Sequence, residues 1–102
     1  MEEALKKQMT KHSQIISSLL NEKFDRCSSR SSYNFDAEFK CFSEIQDKVN
    51  ELQRVLLKKT LYNNLTFEKC IKDIGDESRC FGEMLSRDEV IYNEAKDFVS
   101  TI

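Results

Sequence analysis

Proline and tryptophan are absent from this 102-residue sequence, and glycine occurs only as Gly75 and Gly82. A sandwich or barrel needs many turn residues, and an α/β fold needs loops between strands and helices. The scarcity of both punctuators therefore excludes those classes and leaves a few long helices. An excess of one charge is also missing. The 16 basic and 18 acidic residues leave a net charge of −2, and the densest basic spot is Lys58-Lys59. That is no electrostatic footprint for a nucleic-acid backbone. No run approaches the ~18 apolar residues that span a bilayer, and Met1 to Lys7 carries Glu2 and Glu3 where a leader would be apolar. The expectation is an intracellular chain, cytoplasmic or nuclear, with no nucleic-acid partner and no direct membrane insertion.

What is present is a mixture of 39% hydrophobic and 33% charged residues, which suits helices with one wet face. From Phe35 to Leu57 the apolar residues Phe35, Phe42, Ile45, Val49, Leu52 and Leu56 fall on the a and d seats of a heptad, with Glu44, Asp47, Asn50 and Arg54 between them. This is an amphipathic helix whose seam requires partners. Upstream, Leu5, Met9, Ile16, Leu19, Leu20, Phe24 and Cys27 recur at helical steps with His12 on the same stripe. Downstream, Phe67, Phe81, Met84, Leu85, Asp88, Ile91, Tyr92, Ala95, Phe98, Val99 and Ile102 continue the pattern.

The connectors are read from residues that compete with helical hydrogen bonds. Cys27 to Asn34, rich in serine, is the first; Asn63-Asn64 is the second, with Asp36 and Thr66 as expected N-caps. Gly75 and Gly82 each weaken a helix interior by about 1 kcal/mol, so a kink near Asp76 is also expected. Ser86-Arg87-Asp88-Glu89 has the form of a capping box. The expected fold is accordingly all-α: three long amphipathic helices, or four, in a coiled-coil-like antiparallel bundle. A single domain covers 1–102, with helices at about 2–27, 36–62 and 66–101 and a possible break near Ser86.

The four cysteines, Cys27, Cys41, Cys70 and Cys80, are 14, 29 and 10 positions apart, and there is one histidine. Those spacings do not suit a structural zinc site, which prefers close pairs. As free thiols the cysteines serve as small buried hydrophobes, and that is the expected state. The nine residues between Cys70 and Cys80 resemble the coiled-coil-helix-coiled-coil-helix family of the mitochondrial intermembrane space. In that family each helix of a hairpin carries two cysteines at this spacing, and two disulfides cross-link the helices. The resemblance implies a disulfide-stapled helical protein of that compartment. The thirteen residues between Cys27 and Cys41 depart from the family's spacing.

No Gly-rich loop, nucleophile elbow or carboxylate pair points to catalysis, so the chain reads as a non-enzyme without cofactor or metal. Its expected role is a small subunit or adaptor that assembles a protein complex through its helices, as homo-oligomer or heteromer. In size and pattern it is similar to the short helical subunits of trafficking and kinetochore complexes. A third helix of about 36 residues would outreach its neighbours at 1.5 Å per residue, leaving Ile91, Tyr92, Ala95, Phe98, Val99 and Ile102 as the expected partner-binding stripe. Arg26 and Arg30 beside Ser29, Ser31 and Ser32 suit basophilic kinases, so the connector is also a candidate phosphorylation site of a regulated adaptor.

Overall fold

The computed structural model describes residues 2–30 and 34–102. Among these, all regular structure is helical: α1 Glu2–Arg30, α2 Phe35–Ile74 and α3 Glu77–Ser100. Each helix packs on both others. Phe24 meets Phe42 and Cys27 meets Cys41, so α1 and α2 run antiparallel. Phe67 meets Phe81 and Cys70 meets Cys80, so α2 and α3 do likewise. The bundle is a rod of 59 × 20 × 17 Å with a radius of gyration of 17.5 Å, well above the ~13 Å of a compact chain of similar length. Its length is that of α2, whose 40 residues span ~60 Å.

The helix boundaries correct the expectation in several places: α1 runs through Cys27 to Arg30, so the first connector is shorter than expected. Asn63-Asn64 does not form a connector. Asn63 is 3% exposed and spends its amide across the interface, Nδ2 donating to the Met84 carbonyl at 3.0 Å while Oδ1 accepts from Arg87 Nε at 2.6 Å. The helix therefore continues through it, and Thr66 is no cap; its hydroxyl donates to the Tyr62 carbonyl one turn back. The turn falls instead at Gly75, whose φ of +76° is the left-handed region that glycine enters without a Cβ penalty. Its N–H donates to the Ile71 carbonyl, and Asp76 then caps α3 by accepting from Arg79 N at 3.1 Å.

Ser86 starts no fourth helix. It lies inside α3, with its hydroxyl donating to the Gly82 carbonyl at 3.1 Å. At the start of α2 the cap is Asn34, which accepts from Ala37 N, and Asp36 sits in the first turn where its charge suits the helix dipole.

The core is one seam. Ile16 of α1, Leu52 of α2 and Tyr92, Ala95 and Val99 of α3 are buried together, with Met9, Leu19, Leu20, Leu56 and Phe98 packed around them. The expected stripes of α1 and α3 thus both face inward. In α2, Ile45 and Leu52 are buried and Phe42, Val49 and Leu56 half-buried, but Phe35 is 77% exposed, because it precedes the point where α1 packs closely. The cysteines are not thiols as expected: Cys27–Cys41 and Cys70–Cys80 are disulfides, with Cα atoms 5.6 and 5.7 Å apart. Each helix-to-helix turn is therefore stapled. Loops of 14 and 10 positions place the loss of unfolded-chain entropy near 3 kcal/mol per bridge in the chain-entropy account.

Candidate functional site

Because α2 rather than α3 is the longest helix, the stripe assigned to a partner is not left uncovered. Ile91, Tyr92, Ala95 and Val99 are buried, at 9, 8, 3 and 0% exposure, and Phe98 and Ile102 are half-buried. Tyr92 and Val99 belong to the seam shared with α1 and α2. Ile91, Ala95 and Phe98 also line a groove of about 230 Å³ between α2 and α3, floored by Leu52 and Leu56. The Lys59 ammonium and the Glu94 carboxylate pair at its rim, tying the two helices. The structure thus splits the stripe: part of it is core, and part opens on a shallow apolar groove.

A second apolar surface lies elsewhere, on the exposed side of α2. Leu57, Leu61 and Leu65 are 72, 57 and 56% exposed. Four-residue steps keep them on one side of the helix, and at 1.5 Å per residue they form a ridge ~12 Å long. Phe35 and Phe39, stacked on each other at 6.3 Å and 77 and 64% exposed, form a separate apolar spot at the N-terminal end of α2. Sequence reading assigned this side to solvent because Asn50, Glu51 and Arg54 lie on it. The leucine ladder at 57, 61 and 65 was the signal that marks it.

At the α1–α3 interface four polar side chains converge. Gln8 Nε2 lies 3.0 Å from both the Leu85 carbonyl and Asp88 Oδ2. Asp88 is 2% exposed, and burial raises its pKa above the ordinary carboxylate value against the lowering effect of the Gln8 hydrogen bond. His12 is 5% exposed and stacks on Tyr92, with ring centroids 5.0 Å apart. Burial lowers its pKa, helped by the Lys96 charge and opposed by Asp88 and Glu89. Burial, with Asp88 nearby, raises the Tyr92 phenol. This cluster aligns α1 on α3.

Ser29 of the expected phosphorylation segment is exposed, its hydroxyl donating to the Asp25 carbonyl at 3.3 Å; Ser31 and Ser32 lie outside the described residues. Among the described residues, no group of three His, Cys, Asp or Glu side chains is placed to hold a metal ion. None of the helices there is long and apolar enough to cross a membrane. Comparison with protein-family models, with curated proteins and with solved structures finds no match to this chain.

Proposed function

We propose that this chain is a non-enzymatic helical subunit or adaptor that joins protein partners through helix contacts. The observation that carries the reading is the exposed Leu57-Leu61-Leu65 ridge on the longest helix. An apolar row of this kind on a water-facing helix is the surface that a partner helix covers, in the coiled-coil-like packing expected from the heptads. The partner is a helical protein or a second copy of the chain, as in trafficking or kinetochore assemblies. The test is a double substitution, Leu57→Ser with Leu61→Ser, in the natively expressed chain. The expected result is an unchanged thermal melt, since both side chains are exposed, with loss of the co-purifying or self-associated species in light scattering. A parent chain that stays monomeric and alone at every concentration overturns the reading.

A second reading concerns compartment, and the two stapled turns favour it. Disulfides persist where the environment is oxidising, so the adaptor belongs in such a compartment, the mitochondrial intermembrane space among them, rather than in the cytoplasm or nucleus. The pairing differs from that of the coiled-coil-helix-coiled-coil-helix family, because each bridge here joins cysteines that are neighbours in sequence, across a turn. Thiol counting in denaturant without reductant, on chain isolated under alkylating conditions, tests it. No free thiols supports the oxidised compartment; four return the chain to a reducing one. The phospho-regulated adaptor remains an alternative that rests on Ser29, Ser31 and Ser32 alone.

A further inference from the structure

The two disulfides sit in opposite chemical settings. Cys27–Cys41 lies in an open groove of about 330 Å³ between α1 and α2, beyond the end of α3. Lys23, Arg26 and Lys48 line this groove together with Glu44 and Ile102; Arg26 is paired with Glu22 at 3.0 Å and Lys48 lies 3.9 Å from Glu51. Cys27 is 1% exposed, whereas Cys41 is partly exposed. Around Cys70–Cys80 both sulfurs are shut in, at 9 and 0% exposure, and the Glu83 carboxylate oxygen Oε2 lies 3.9 Å from Cys70 Sγ, with Arg79 held on its other oxygen.

We propose that Cys27–Cys41 is a thiol–disulfide exchange site for anionic thiols, attacked at Cys41, while Cys70–Cys80 is a permanent staple. Exchange needs a thiolate to reach one sulfur in line with the S–S bond, so access decides which sulfur is attacked. Access singles out Cys41. The charge on the incoming group decides how often it arrives: Lys23 beside the bridge raises the local concentration of an anionic thiol, whereas Glu83 stands against Cys70. In the first step a thiolate RS⁻ forms a bond to Cys41 Sγ, the Cys27–Cys41 bond breaks, and the electron pair leaves on Cys27, which takes a proton from water. A second RS⁻ then attacks the mixed disulfide, releasing RSSR and the Cys41 thiolate. Two thiols are thereby oxidised and one protein disulfide reduced. The product has a loosened α1–α2 turn on an α2–α3 hairpin that is still cross-linked. Because Arg26 and Lys48 each have a carboxylate beside them, Lys23 supplies the main pull on the incoming anion.

The experiment uses the full oxidised chain. It is exposed in separate runs to reduced glutathione, which is anionic, and to cysteamine, which is cationic, at equal thiolate concentration. The reactions are quenched by alkylation and mapped by mass spectrometry. The expected result is that Cys27–Cys41 opens at least about tenfold faster than Cys70–Cys80, with the mixed disulfide on Cys41. Glutathione should outpace cysteamine at low salt, and that advantage should vanish at high salt and in a Lys23→Gln, Lys48→Gln variant. Equal opening of the two bridges, an adduct on Cys27, or no preference for the anionic thiol overturns the proposal. So does a chain that carries free thiols from the start, an outcome that leaves the adaptor reading standing.

Discussion

His12 lies face to face with Tyr92, their rings 5° from parallel, and among the described residues its Nδ1 is buried without a hydrogen-bond partner. That geometry holds the imidazole neutral, because a proton on Nδ1 would have no acceptor in a dry site. The sign follows from linkage. The folded pKa is lowered from 6.5, so the unfolded chain binds the proton first. The stability owed to neutral His12 is present above pH 6.5 and is lost as pH falls toward the folded value. Asp88 works oppositely, its raised pKa favouring the fold as acid is added. Denaturant titrations at a series of pH values should show stability falling below 6.5 in the parent. In His12→Phe, which keeps the stack, that part of the slope should be gone; an identical slope in both chains excludes His12 as its origin.

Asn63 sets a second expectation. It closes one hydrogen bond to a main-chain carbonyl and one from a guanidinium, so truncation leaves two polar groups in a buried interface. Asn63→Ala should cost about 3 kcal/mol, since each orphaned group carries roughly 1 to 3 kcal/mol. Asn64→Ala, at an exposed position, should change stability by less than about 0.5 kcal/mol. Similar denaturation midpoints for the two variants would falsify the bridging role.

These two asparagines show where the sequence was legible and where it was not. The period of α3 placed Met84, Asp88, Ile91, Ala95 and Val99 on one side, and burial follows it. The inward position of His12 was readable in the same way, from its place on the α1 stripe. Asn63-Asn64, by contrast, carries a turn signature in local chemistry, and only the facing Met84 carbonyl and Arg87 turn it into a helix interior. The turn went to Gly75, a position marked as a kink but outweighed by the asparagine pair. The comparison of helix lengths fails for the same reason: moving the turn by about a dozen residues lengthened α2 and shortened α3, so much of the stripe around Tyr92 packs into the core. Cys70–Cys80 was illegible because it crosses a turn whose position had first to be known, whereas Cys27–Cys41 spans the serine-rich connector that the sequence did mark.

Leu52 and Leu57 belong to one helix and separate core from ridge. Leu52 is 6% exposed within the seam, and Leu57 is 72% exposed. Leu52→Ala should therefore cost about 2 to 4 kcal/mol through lost burial and a residual cavity, a large share of the stability of so small a domain. Leu57→Ala should stay within about 0.5 kcal/mol. Circular-dichroism melts of the two variants check the assignment, and a Leu57→Ala chain as damaged as Leu52→Ala would place the ridge inside the bundle.

The two glycines should respond to alanine with opposite signs. Gly75 has open space where a Cβ would sit, so no clash is involved; the cost comes from its φ of +76°, where an L-residue is strained. Gly75→Ala should lose about 1 kcal/mol, the ordinary penalty for a side chain in the left-handed region. Gly82 lies inside α3 with equally open space and no positive φ. There alanine removes only the conformational freedom that glycine keeps in the unfolded chain, and Gly82→Ala should gain about 0.5 to 1 kcal/mol. Because neither substitution touches a neighbour, the difference between them reports backbone conformation alone. Were α2 and α3 one continuous helix through Asp76, as the unbroken heptad would have it, both substitutions would stabilise. Thermal melts of the two single variants, with both disulfides intact, therefore test the position of the turn that the bundle depends on. A Gly75→Ala variant that melts above the parent would remove the turn from Gly75.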